Sequence, residues 1–206
     1  MSQFDFTDMR LREAVFGRRS LRRYLPQPVP RALVSELLLA AVHAPSAHNR
    51  QPWRFAVTDS PERRIGLASA MGARLRMDLT ADGVAGEIIE SDVSRSYERI
   101  TAAPVIIALC LSMADMDAYP DPVRSHHEWT MAVQSTAMAG QNLLLMAHAY
   151  GLGACWMCAP LFCPSVVRDA LGLPDDWQPQ GLITLGYPAQ ERSSSRKPLE
   201  ESVLWR

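Results

Sequence analysis

Two short stretches of this 206-residue chain gather side chains able to do chemistry. The first is basic: Arg10, Arg12, Arg18, Arg19, Arg22 and Arg23 crowd one N-terminal stretch, and Arg18, Arg19, Ser20 and Arg22 have the order R-R-S-x-R. A guanidinium offers a planar fork of donors suited to phosphate, and serine adds a short hydroxyl donor. The same cluster also suits a basic helix C-terminus set against the helix dipole. The second stretch, Ala44 to Trp53 (APSAHNRQPW), packs Ser46, His48, Asn49, Arg50 and Gln51 between two prolines. Asn and Gln present donor and acceptor together, which suits the edge of a heterocycle bearing carbonyl and NH groups. A polar loop that satisfies its own turn hydrogen bonds is the plainer alternative.

Other patterns carry less. His126-His127-Glu128 has no third ligand at a useful spacing, so no metal site is expected. Cys155-Trp156-Met157-Cys158 has C-x-x-C spacing but no following helix, and its apolar neighbours point to buried, inert thiols. No G-x-G-x-x-G, Walker A or G-x-S-x-G sequence is present. A bound cofactor that carries the chemistry, with the protein supplying donors, fits this inventory better than an activated side chain. No residue is assigned a catalytic acid or base role.

The elements that must position these groups follow from pattern. A first helix is expected over Asp8 to Gly17, with Leu11, Val15 and Phe16 on its buried side and Gly17 as its stop. A second starts after Pro30 and ends before Pro45. Trp53 to Val57 alternates like a strand, and Ser60-Pro61-Glu62 opens a helix. Residues 73–101 mix small, charged and apolar groups and suggest a mobile helical cap. Pro104 to Leu111 is a continuous apolar run, hence a fully buried strand. Tyr119 to Pro122 marks a turn, and a helix apolar on almost every face runs from Trp129 to Tyr150. Such a helix must be buried, centrally or against a partner chain. Short strands at Ala154 to Met157 and Gly181 to Tyr187 flank a small helix at Pro164 to Leu171. The polar tail ends in Val203, Leu204 and Trp205, an apolar tip that should dock.

Bulk properties set the limits. Hydrophobic residues make up 48% and charged residues 21%, with a formal net charge of −1. That is an ordinary soluble composition, with no long-range attraction to nucleic acid or an anionic membrane. No apolar run approaches the ~20 residues of a spanning helix, and no secretory signal is expected at the N-terminus. Four cysteines without disulfide or zinc spacing suit a reduced, cytoplasmic protein. One mixed domain over residues 1–206 is expected.

RRSLRRYLPQPVP at Arg18 to Pro30, APSAHNRQPWRF at Ala44 to Phe55, QNLLLMAHAYGLGACW at Gln141 to Trp156, GLITLGYPA at Gly181 to Ala189 and RKPLEESVLW at Arg196 to Trp205 resemble, in this order, the nitroreductase family of flavoproteins. The resemblance implies an α+β fold, with a central, mainly antiparallel sheet flanked by helices. It also implies an intertwined homodimer with FMN between the subunits. Arg18, Arg19 and Ser20 then match the phosphate- and ribityl-binding stretch, and Arg22 the cation facing the flavin pyrimidine. Pro45, Ser46, Asn49 and Gln51 match the loop that reaches the flavin, with Pro45 and Ser46 expected from the second subunit. Cys158, Ala159, Pro160 and Leu161 fall where backbone passes the isoalloxazine, and Arg196 and Lys197 match a basic tail returning to the phosphate. The stretch Cys155 to Pro188 is also similar to nitroreductase-like domains of enzymes that complete the deazaflavin cofactor.

The activity implied is a ping-pong oxidoreductase: NAD(P)H reduces FMN, and hydride then passes to a small electrophilic acceptor of nitroaromatic or quinone type. The branch similarity adds an FMN-dependent reductase of a deazaflavin-type precursor as an alternative. A flavin-binding protein without turnover is the third. Residues 73–101 are expected to shape the acceptor site.

Overall fold

The computed structural model describes residues 11–206. The part of the expected first helix before Leu11, and Arg10 with it, lies outside them. Four strands form one antiparallel sheet: β1 (Trp53–Thr58), β2 (Val105–Leu111), β3 (Gly153–Met157) and β4 (Gln178–Gly186), in the order β1-β2-β4-β3. Among the described residues six α-helices accompany it: α1 (Leu11–Gly17), α2 (Arg31–Val42), α3 (Pro61–Ala81), α4 (Gly86–Thr101), α5 (Pro122–Ala149) and α6 (Pro164–Leu171). Helices and an antiparallel sheet in one packed body make this the expected α+β architecture.

Both faces of the sheet are covered, which explains why β2 reads as an unbroken apolar run. Val105, Ile107 and Leu109 point into a core with Leu37 of α2 and Leu143 of α5. Ile106, Ala108 and Cys110 point the other way, into Leu67 and Met71 of α3, Ile100 of α4 and Val167 of α6. Every residue of β2 is buried.

Helix α5 begins two turns before the expected Trp129. Asp121 is its N-cap, its carboxylate accepting the Arg124 N–H at 2.9 Å, and Pro122 occupies the first helical position. That pair is a helix start rather than only the turn expected there. The added turns, Val123 to His127, are exposed. The 28-residue helix is about 42 Å long. At Gly140 it comes unusually close to the sheet: an added Cβ would lie 2.1 Å from Trp156 Cζ3 and 2.9 Å from Leu109 Cδ2. Gly181 of β4 meets the same indole from another side, with 2.7 Å from a built Cβ to Trp156 Nε1.

Residues 73–101 form the second half of α3 and all of α4, a helical hairpin turning at Gly83, whose φ is +73°. It is anchored to the sheet by Leu67, Met71 and Ile100. The two helices approach closely at Gly72, where a Cβ would sit 3.2 Å from Val93 Cγ1. Arg76 pairs with Glu90 across them at 2.7 Å. These apolar anchors lie among polar residues at helical spacing, which obscured them in the sequence.

Helix α1 corrects a second expectation. Only Ala14 is buried; Leu11, Val15 and Phe16 are 75%, 49% and 65% exposed. The helix meets α5 through its small residues, and a Cβ on Gly17 would be 2.7 Å from His148 Nε2. The large side chains therefore point away from this chain's core.

Candidate functional site

The arginine-rich segment after α1 is stitched to the sheet. Ser20 makes an isolated parallel bridge to Ala154 of β3, and the Leu21 N–H donates to the Ala154 carbonyl at 3.0 Å. Farther on, Tyr24 bridges Pro188, and the Leu25 N–H reaches the Tyr187 carbonyl at 2.8 Å. The Tyr24 hydroxyl donates to the Leu21 carbonyl at 2.6 Å and lies 2.6 Å from Thr184 Oγ1. Burial raises its pKa, so it stays a neutral donor. Tyr24→Phe leaves the buried Thr184 hydroxyl and the Leu21 carbonyl short of a partner. It is expected to cost about 1–2 kcal/mol, read as a lower denaturant midpoint with an unchanged slope.

This segment brings Arg18, Arg19, Ser20 and Arg22 to one edge. The Arg18 guanidinium is held below its ordinary pKa by burial first, then by the positive charges of Arg196 and Arg19. Three guanidiniums thus converge, and no carboxylate pairs with any of them among the described residues. Arg19 Nη1 donates to the Phe16 and Arg18 carbonyls, at 2.6 and 2.8 Å. It therefore also fills the helix C-terminal role considered above. Its Nε is buried and has no hydrogen-bond partner among the described residues. His148 stands beside the cluster, and burial, then Arg18 and Arg19, lower its pKa and favour the neutral ring. Lys197 is not gathered in: it is 85% exposed and faces Glu201 at 3.8 Å.

Cys155 links this cluster to a cleft. Burial raises its pKa, an effect opposed by Arg22, a hydrogen bond from Ser20, Arg99 and Arg18, so all four act on the thiol. Beyond it opens a cleft of about 1210 Å³ between the Arg22–Tyr24 segment, the exit of β4 and one face of α4. Arg95, Glu98 and Arg99 border it, with Arg192 opposite. Arg95, Glu98 and Arg99 fall within residues 73–101, the stretch expected to shape the acceptor site, though none of them is singled out by the sequence, and Arg192 lies outside every expected site stretch. The available signal was Ser91, Ser94, Arg95, Glu98 and Arg99 at helical spacing, a polar stripe on one face.

The loop Pro45 to Gln51 is elsewhere. Ser20 is level with Ala154, Leu185 and Val105, whereas the Pro52 carbonyl accepts from Ser112 beyond the opposite end of β2. At about 3.4 Å per residue the two lie roughly 20 Å apart. The loop is compact. Ser46 Oγ accepts the Gln51 N–H at 3.0 Å, and Ser135 Oγ of α5 accepts the Ala47 N–H at 3.2 Å. His48, Asn49 and Gln51 all have φ near +50°, a region few residues other than glycine enter.

Cys158 to Leu161 form the turn after β3 and a short 3-10 helix, with Leu161 half exposed. Cys158 itself is exposed, contrary to the buried pair expected, because β3 has ended at Met157; Cys110, Cys155 and Cys163 are buried. All four are free thiols. Among the described residues, no three His, Cys, Asp or Glu side chains are grouped to hold a metal ion, and no helix is long and apolar enough to cross a membrane.

Known proteins share this architecture. A NADH dehydrogenase of Thermus thermophilus is 34% identical, with 94% of each chain covered. A nitroreductase-class protein of Desulfovibrio desulfuricans, solved in complex with FMN, is 30% identical with a TM-score of 0.73, covering 97% of this chain and 98% of that one. A BluB-like flavoprotein of Clostridium difficile shares the fold at a TM-score of 0.79 and 22% identity, over 96% of this chain and 99% of that one. The Nitroreductase family model matches residues 15–187, the span that holds the sheet, the Arg18–Arg22 segment and the α4 wall of the cleft, and the chain belongs to the nitroreductase family.

Proposed function

We propose that the protein is an FMN-dependent NAD(P)H oxidoreductase that acts as a homodimer on a small electrophilic acceptor of nitroaromatic or quinone type. The observation that carries this reading is the convergence of Arg18, Arg19 and Arg196 without a carboxylate, with a buried Arg19 Nε lacking an acceptor. A phosphate supplies both the missing charge and the missing acceptor. Arg18, Arg19, Ser20 and Arg196 would hold the FMN phosphate and ribityl chain. Arg22 and Arg99, whose charges both act on Cys155, would favour negative charge on the pyrimidine side of the ring. Cys158 to Leu161 would pass backbone along its edge. Bound FMN would supply two-electron transfer between nicotinamide donor and acceptor, so the chain needs no acid–base side chain of its own.

The rest of the site would come from a second chain. Pro45, Ser46, Asn49 and Gln51 lie too far from Ser20 to meet the same flavin within one subunit. A partner is supported by what this chain leaves uncovered. Leu11, Phe16 and Leu39 are exposed beside an apolar groove of about 580 Å³ between α1, α2 and α5. Leu204 and Trp205 are 73% and 86% exposed on the tail. Apolar area of this kind is the usual mark of an interface. The cleft's volume also leaves room for a bulky acceptor, such as a deazaflavin-type precursor.

The test is the absorbance spectrum of the purified protein, then anaerobic addition of NADH and of NADPH. Flavin bands that bleach with either donor are expected. A colourless protein that FMN cannot reconstitute would overturn the proposal, and flavin bands that neither donor bleaches would leave only a flavin-binding role.

A further inference from the structure

We infer that the α4 side of the cleft is a second anion site, which holds a phosphate or carboxylate group of the substrate docking beside the flavin. The inference rests on the FMN reading above. Five guanidiniums border this cleft, those of Arg22, Arg23, Arg95, Arg99 and Arg192, against the single carboxylate of Glu98. Arg22, Arg23, Arg99 and Arg192 form no ion pair among the described residues, and Arg95 pairs only with Asp92, three residues earlier on its own helix. The flavin does not account for this charge. Its phosphate is served by Arg18, Arg19 and Arg196, which lie outside the cleft's border, and its ring by Arg22 and Arg99. Arg23, Arg95 and Arg192 remain.

The site has the donors an anion needs. Ser91 and Ser94 lie on the same stripe of α4 as Arg95 and Arg99, so two hydroxyls accompany two guanidiniums on one face. Arg192 and Gln190 approach from the chain leaving β4. Ala102 and Ala189 are the small residues between, which keeps the cleft open. Guanidinium forks with flanking hydroxyls recognise oxyanions in preference to neutral acceptors. Two substrates carry such groups: a nicotinamide dinucleotide through its phosphates, or an acceptor bearing a phosphate or carboxylate.

The experiment uses the FMN-loaded protein and an Arg95→Ala, Arg192→Ala double variant, both residues outside the set assigned to the flavin. Steady-state KM is measured for NADPH, NADH, 4-nitrobenzoate and neutral 4-nitrobenzamide, and binding of redox-inert 2′,5′-ADP is followed by calorimetry. An increase of about tenfold is expected in the KM of the anionic substrate that uses the site, with 4-nitrobenzamide unchanged and FMN retained. A rise for NADPH alone, with weaker 2′,5′-ADP binding, identifies the donor's 2′-phosphate as the occupant. An equal rise for NADPH and NADH identifies their pyrophosphate, and a rise for 4-nitrobenzoate alone identifies an anionic acceptor. Unchanged KM values with FMN retained would overturn the inference and leave a solvated basic face. Loss of FMN from the double variant would overturn it too, because the arginines would then serve the cofactor, and the oxidoreductase reading would stand. A wild-type protein that cannot bind FMN would instead be the failure of that earlier reading.

Discussion

Arg18→Glu is expected to purify without flavin. Arg18 is partly buried and feels the positive charges of both Arg196 and Arg19. A phosphate dianion placed among them adds an attraction to each guanidinium that outweighs their mutual repulsion. Deleting one charge-assisted partner costs about 1.5–3 kcal/mol, or roughly 10–150-fold in affinity. Arg18→Ala should therefore raise the FMN dissociation constant by about that factor, and the charge reversal by more. Quenching of FMN fluorescence on titration into apoprotein reads both values. The apoprotein should respond in the opposite sense. Burial and like charge disfavour the charged Arg18 in the folded chain, so Arg18→Ala should leave apoprotein stability unchanged or higher. An FMN affinity that ignores both substitutions would place the phosphate elsewhere.

Gly140→Ala should be the most damaging single-methyl change in the fold. The new Cβ would sit 2.1 Å from the Trp156 ring, and that ring cannot retreat because Gly181 already meets it closely. Leu109 closes a further direction at 2.9 Å. Overpacking a core costs about 1–3 kcal/mol, and a trapped indole puts this site at the upper end. In a chain of this length that corresponds to a fall in melting temperature of roughly 5–10 °C. Trp156→Phe in the Gly140→Ala background should recover part of the loss, giving a coupling of about 1 kcal/mol or more between the two sites. Additive melting temperatures would show that helix and indole do not meet as described. Trp156 is two residues from Cys158, so the same displacement should reach the turn assigned to the flavin edge.

How much of this was readable in the sequence depends on what each residue answers to. The strands and caps were legible because their causes are local. Ser60 accepts the Arg63 N–H from the position its sequence announces, and the unbroken apolar run of β2 reports burial on both faces. The α5 start was missed although equally local, since Asp121-Pro122 serves a turn and a helix start alike. The outward side of α1 was misjudged because apolar character reports burial without saying against which chain. Arg95 and Arg99 lie in the 73–101 stretch expected to shape the acceptor site, yet nothing in the sequence singles them out. Their charge is ordinary for a helix surface, and only the tertiary placement of α4 opposite Arg22 turns it into a wall of the cleft. The sequence offers Arg18, Arg19, Arg196 and Lys197 as one set, and only the fold separates Arg196, whose charge acts on Arg18, from Lys197, which faces Glu201.

The left-handed backbone of the Pro45–Gln51 loop has a consequence for recognition itself. His48, Asn49 and Gln51 hold φ near +50°, a conformation that costs such residues about 1 kcal/mol or more each. Ser46, Ser135 and the flanking prolines hold the loop there before any ligand arrives. The entropy of ordering is thus met during folding, and binding need not supply it. Such a loop trades stability in the free chain for a faster and more selective fit, because a partner that needs another backbone shape must work against the whole turn.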